Sequence, residues 1–187
     1  YQELFLYQLR LQWMRQKRHQ QTKGQEVLYD NAALKAFIQT LPFELTDGQK
    51  KVVNEICFDL RAPYEMNRLL QGDVGSGKTI VATIAMVATA LTGKQAALMV
   101  PTEILAEQHM LTIEKLLQGT DLKAVLLTGS MNRSQKKRKE LLATIVSGEA
   151  NLVIGTHALF QQDVNFKELA FVVIDEQHRF GVQQRQA

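Results

Sequence analysis

GDVGSGKT, residues 72–79, decides how this chain is read: it fits G-x-x-x-x-G-K-[ST] and stands where a short apolar run gives way to a helical stripe. Glycines at 72, 75 and 77 let backbone N–H groups approach phosphate oxygens. Lys78 offers a charge to the β and γ phosphates, and Thr79 offers a hydroxyl to a Mg²⁺ ion. The loop Gly72, Asp73, Val74, Gly75, Ser76, Gly77, Lys78 and Thr79 is therefore assigned to nucleotide, with ATP and Mg²⁺ as expected cofactors.

On either side of this loop, strands and helices alternate. Strands are predicted at Arg68–Gln71, Ala96–Val100, Ala124–Leu127, Leu152–Ile154 and Phe171–Ile174, short and almost unbroken apolar runs of the kind that buried parallel strands show. Helical stripes fill the gaps. Ile80, Ile84, Val87 and Leu91 stop at Gly93; Ala106, Met110, Ile113 and Leu117 stop at Gly119; Leu141, Leu142, Ile145 and Val146 stop at Gly148. Upstream, a further stripe is Val52, Val53, Ile56 and Leu60. The pattern predicts a doubly wound α/β domain, mainly parallel sheet with helices on both faces, whose ligands bind at the carboxyl ends of the strands.

Those strand ends carry the remaining chemistry. Phe171–Ile174 leads into Asp175 and Glu176, an acidic pair suited to Mg²⁺ chemistry. Asp175 would hold the metal, and Glu176 would position and deprotonate the attacking water; with Lys78 these are the candidate catalytic residues. Thr79 and Asp175 are the candidate metal ligands. In FELTDGQ, Phe43 and Gln49 could stack on adenine and hydrogen-bond its edge, while Thr46 and Gln49 also form a capping box that needs no nucleotide.

The bulk composition excludes several classes. The chain of 187 residues is 45% hydrophobic and 22% charged, as in ordinary globular domains, and no apolar run reaches the length of a membrane span. Neither a secretory signal nor a membrane segment is legible, so a cytoplasmic location is expected. The single cysteine, Cys57, falls on a helical stripe and reads as core. A net charge of +3 leans towards a polyanionic partner without deciding the matter. Residues 1–42, with an amphipathic helix from Glu3 to about Gln20 and a short one at Asn31–Thr40, are read as a helical linker from an upstream domain.

Taken together, GDVGSGKT, PTEILAEQH at 101–109, TGS at 128–130, GTHALFQ at 155–161 and DEQHRFGVQQR at 175–185 resemble a superfamily 2 helicase motor of the RecG family of branch-migrating DNA helicases. The resemblance implies a RecA-like P-loop NTPase fold, with residues 43–187 forming an ATP-binding motor domain of incomplete C-terminus and a second motor domain absent. It implies an ATP-dependent DNA helicase or translocase acting on replication forks and Holliday junctions in recombination and repair. A transcription–repair coupling translocase, or a P-loop ATPase with no nucleic-acid role, is the alternative.

It also implies that Pro101, Thr102, Glu103, Thr128, Gly129, Thr156 and His157 face DNA, and that Gln177, His178 and Arg179 relay the state of the γ-phosphate. Structural readings stand beside these: Thr102 is a good helix cap, Thr128–Ser130 a serviceable turn, and Gln177, His178 and Arg179 could fix a strand end. The basic run Arg133–Lys139 is either a DNA contact or a solvated helix face. The implied partners are branched DNA and the second motor and wedge domains of one longer chain, which is expected to act as a monomer without contacting a membrane.

Overall fold

A computed structural model describes residues 4–10, 12–13, 24, 26–129 and 135–175. Four strands form one parallel sheet: β1 (Gln95–Met99), β2 (Ala124–Leu127), β3 (Leu152–Gly155) and β4 (Leu169–Ile174), in spatial order β2-β3-β1-β4. Around it lie α1 (Asn31–Gln39), α2 (Asp47–Leu60), α3 (Lys78–Ala90), α4 (Glu103–Leu116) and α5 (Gln135–Ser147). Four of the five predicted strands are present, with helices where the stripes placed them.

Helices cover both faces of β1, β2 and β3, while Val172 and Ile174 of β4 are exposed. Ala96, Leu98, Leu152 and Ile154 share one core with Ala106 and Ile113 of α4, Ile84 and Val87 of α3, and residues of α1 and α2. Met99, Val125, Leu127 and Val153 point to the other face, against Ile145 of α5 and Ala158 and Leu159. Successive strand residues alternate between the two cores, as the period of two requires. Each fully buried side chain such as Ile154 contributes about 1.5–3 kcal/mol.

One polar side chain is built into this core. Gln95 is 1% exposed. Its amide donates to the carbonyls of Ile145 and Ala150 and accepts from the N–H groups of Lys167 and Glu168, stitching the end of α5 to the entrance of β4. All of its bonding capacity is used, which makes its burial tolerable.

The predicted strand at Arg68–Gln71 is not formed; among the described residues this segment pairs with no strand. A buried parallel strand needs partners, and the one described neighbour, β4, is separated from it by a cavity lined by both segments. Arg68 is instead drawn onto α2, with its guanidinium 2.8 Å from Glu55 Oε2 and 2.7 Å from Asp59 Oδ2.

Residues 4–10 and 12–13 are helical, and Leu6, Leu9 and Trp13 are exposed. From residue 26 onwards the chain joins the main core: Val27, Tyr29, Leu34, Phe37 and Leu41 pack in the same cluster as α2 and α3.

Candidate functional site

The phosphate loop owes its shape to two glycines. Gly75 and Gly77 both have φ of +81°, the left-handed region that L side chains avoid, and Gly77 is the N-cap of α3. The first N–H groups of α3 have no intrahelical acceptors, so the loop ends at a site of positive potential. The Lys78 ammonium folds back over this loop and donates to the carbonyls of Gly72 and Asp73, each at 2.8 Å. A Cβ on Gly72 would lie 2.7 Å from Ser76 Oγ, so a side chain there would require the Ser76 hydroxyl to turn away. Val74 stands fully exposed at its tip.

Lys78 and Thr79 line a cavity of about 1090 Å³ whose opposite wall is β4 and the residue that follows it, Asp175. Sequence reasoning separated these residues by almost the length of the domain, and the parallel sheet brings them to one cleft. The Asp175 N–H donates to Met99 O at 2.9 Å, which continues the β1–β4 ladder past the end of the strand. Asp175 Oδ2 lies 3.2 Å from Nε2 of His109, a residue of α4 that also lines the cavity. Glu176, Gln177, His178 and Arg179 lie outside the described residues.

Gln49 joins two structures that the sequence left as alternatives. Its backbone N–H donates to Thr46 Oγ1 and its side-chain oxygen accepts from Thr46 N, which completes the capping box of α2. The amide nitrogen reaches across to donate to Ser76 O at 2.9 Å. Phe43 is not brought to the same place. It is half-exposed and lines a separate groove of about 750 Å³ with Leu41, Lys50 and Asn54.

At the carboxyl ends of β1, β2 and β3, neighbours in the sheet, the other candidates share one edge. Pro101, Thr102 and Glu103 follow β1, and Thr102 caps α4 by accepting from Leu105 N at 3.3 Å. Gly129 lies against them, since a Cβ there would sit 3.2 Å from Glu103 Oε1. Thr128 and Thr156 are 2% and 1% exposed, so their hydroxyls are interior rather than surface groups. Thr156 Oγ1 has no hydrogen-bond partner among the described residues. His157 is exposed and opens a short 3₁₀ turn, His157–Phe160. The accessible members of the edge are thus Pro101, Thr102, Glu103, Gly129 and His157.

Two residues that sequence reasoning passed over prove important. In the basic run, Arg138 is buried: its guanidinium meets both oxygens of Asp163 at 2.9 Å and Gln161 Oε1 at 2.7 Å. Only Lys136, Lys137 and Lys139 of the described run form a solvated face. His109 was quoted within PTEILAEQH without a role. The usable signal was its spacing, three residues after Ala106 and four before Ile113, which puts a polar ring on the packed stripe of α4.

Residues 46–187 match the DEAD/DEAH box helicase family. The ATP-dependent DNA helicase RecG of Bacillus subtilis is 52% identical over 185 residues, covering 99% of this chain and 27% of the relative. RecG of Staphylococcus aureus is 54% identical over 184 residues, covering 98% of this chain and 26% of the relative. The chain therefore spans about a quarter of the length of these relatives. A solved structure of RecG bound to a three-way DNA junction superposes with a TM-score of 0.85 and 42% identity, over 96% of this chain and 24% of that one. A hypothetical ATP-dependent RNA helicase from Sulfolobus tokodaii shares the fold at TM-score 0.56 and 22% identity, over 80% of this chain and 42% of that one.

Proposed function

The chain belongs to the DEAD/DEAH box helicase family, and from that premise we propose that it is the ATP-binding lobe of an ATP-dependent DNA helicase acting on branched DNA, in recombination and repair. The observation that carries this reading is the meeting of Lys78, Thr79 and Asp175 in one cleft. The high identity to RecG proteins, one of them solved on a three-way junction, supports the choice of DNA substrate.

The residues fit a nucleotide. The Lys78 ammonium donates to two oxygen acceptors at 2.8 Å, the carbonyls of Gly72 and Asp73, and phosphate oxygens would take their place as its acceptors. Among the described residues there is no cluster of three or more His, Cys, Asp or Glu able to hold a metal by itself. Mg²⁺ would therefore rest on Thr79, Asp175 and the phosphates, as is usual for an ion that keeps much of its water. The bound pair supplies an electrophilic γ-phosphate with its charge partly neutralised.

In this reading Lys78 neutralises charge on the phosphates, and Glu176 orients the attacking water and accepts its proton. Gln49 would contact adenine beside the loop, with Phe43 in the neighbouring groove, and Gln177, His178 and Arg179 would report the state of the γ-phosphate. The accessible edge, Pro101 to Glu103 with Gly129 and His157, would follow the DNA backbone, with Thr128 and Thr156 buried behind it and shaping it from within. Residues 1–42 lead in from an upstream wedge domain, with Val27 to Leu41 packed onto the first motor domain of residues 43–187, and a second motor domain closes over the nucleotide. Among the described residues no helix is long and apolar enough to cross a membrane; the place of action proposed for the enzyme is the cytoplasm.

The test is ATP hydrolysis by the full-length protein with and without forked DNA, for wild type and Lys78→Ala. Forked DNA is expected to raise wild-type turnover, and Lys78→Ala to lower it by about 10²–10³. Hydrolysis indifferent to DNA would sink the helicase reading and leave a phosphate-loop ATPase without a nucleic-acid role.

A further inference from the structure

We infer that His109 is a positioning residue that couples the DNA-facing end of α4 to the metal-binding carboxylate of Asp175. The inference rests on the helicase reading above and assigns to a residue of α4 a part in coupling its two sites.

The segment from Met99 to His109 holds Asp175 at two points. Met99 O accepts from the Asp175 backbone, and His109 Nε2 lies 3.2 Å from Oδ2 of the same residue. Between these points lies Pro101–Glu103, the part of the chain that turns from β1 into α4 at the proposed DNA edge. Thr102 caps α4 there, so displacement of the edge is displacement of the helix. From Glu103 to His109 is about 9 Å along the helix axis at a rise of 1.5 Å per residue. A packed helix carries a small shift over that distance without absorbing it.

The burial of His109 supports the assignment. Its side chain is 14% exposed, on the stripe where Ala106 and Ile113 are fully buried. A polar ring in that place is costly unless it is partnered, and the partner it meets is a carboxylate with a proposed catalytic duty. An imidazole against a metal-binding carboxylate fixes the direction of its oxygens, and loss of such an outer partner typically lowers metal affinity or activity by about 10–100-fold.

The experiment measures affinity of the full-length protein for a fluorescent ATP analogue at fixed Mg²⁺, with and without forked DNA, and takes the ratio as the coupling factor. Affinity for forked DNA without nucleotide and thermal melting are read on the same samples. His109→Ala should lower the coupling factor by about 5-fold or more, leave nucleotide-free DNA affinity unchanged, and raise the Mg²⁺ concentration needed for binding. His109→Gln, which retains an N–H donor at similar reach, should restore the coupling. If His109→Ala does not fold, His109→Leu takes its place. An unchanged coupling factor overturns the proposal, whether nucleotide affinity is unaffected or falls equally with and without DNA. Absence of coupling in the wild type would instead overturn the helicase reading on which it rests.

Discussion

The side-chain amide of Gln49 donates to the carbonyl of Ser76 at 2.9 Å while the same side chain closes the N-terminal cap of α2, so helix capping and loop geometry share one residue. The two duties separate in variants. Thr46→Ala removes the reciprocal cap and should cost about 1 kcal/mol with little change in nucleotide affinity. Gln49→Ala should cost as much stability and also weaken nucleotide binding, because the loop loses its brace. Thermal melting and nucleotide titration of both variants decide it; equal affinity for the two would show that the brace does nothing.

Lys78 makes its bonds to Gly72 and Asp73 at an exposed site, so they contribute little to folding. Lys78→Ala should move the melting midpoint only slightly, by the equivalent of about 0.5 kcal/mol or less. Removing an electrostatic donor from developing charge typically costs about 10²–10³ in kcat, and that is the loss expected in full-length hydrolysis. A large loss of stability would show that the side chain serves the fold instead.

The difference between those two residues explains what could be read from the sequence. Lys78 sits in a motif whose spacing is its own evidence, and the runs of β1 to β3 are apolar because helices cover both of their faces. The pattern failed at Arg68–Gln71 because strand formation depends on a neighbour, and Arg68 finds Glu55 and Asp59 on α2 instead. The same non-locality hid His109 against Asp175 and Arg138 against Asp163: each pair closes only through the sheet, so no local window contains both members. Phe43 shows the converse, since proximity to Gln49 in sequence did not bring its ring to the cleft.

Arg138 tests that non-local pairing. Its side chain is 10% exposed and its partner Asp163 is 52% exposed, so removing the arginine leaves a carboxylate that water can reach. Arg138→Met should destabilise by about 1–3 kcal/mol, below the cost of breaking a fully buried pair. Asp163→Asn leaves the charge buried without its counter-ion and should cost at least as much. Urea midpoints for both variants check the order; a neutral Arg138→Met would mean that the guanidinium is held only by its packing.

Gly155, the last residue of β3, shows how closely the strand ends approach. A Cβ there would collide with the carbonyl oxygen of Leu127 on β2 and come within 3.0–3.1 Å of the Leu159 side chain. Leu159 can shift, but the carbonyl belongs to the ladder. Gly155→Ala should therefore cost about 1–3 kcal/mol through overpacking. It should also disturb Thr156 and His157 at the proposed DNA edge. A variant that melts like wild type would show that β2 and β3 separate there without penalty.

The pH dependence of stability should be set in part by Tyr29 and Cys57, which pack together below Arg61. Tyr29 is 8% exposed, with the Arg61 guanidinium carbon 4.4 Å from its ring centroid. Burial, and then the nearby Cys57, push its phenol from 10.0 up to about 12, against the lowering effect of Arg61. Burial likewise pushes the Cys57 thiol above its ordinary 9.0, opposed by its hydrogen bond to Tyr29 and by Arg61. In both cases the unfolded chain loses its proton at a lower pH than the folded one. Their contribution is complete below the unfolded values and is lost as pH rises through the folded ones, so stability should fall from about pH 9 upwards. Tyr29→Phe cannot ionise and should flatten the part of the decline between about pH 10 and 12. Denaturant midpoints across that range test the assignment. If the Tyr29→Phe protein declines as steeply as wild type, the alkaline loss arises elsewhere.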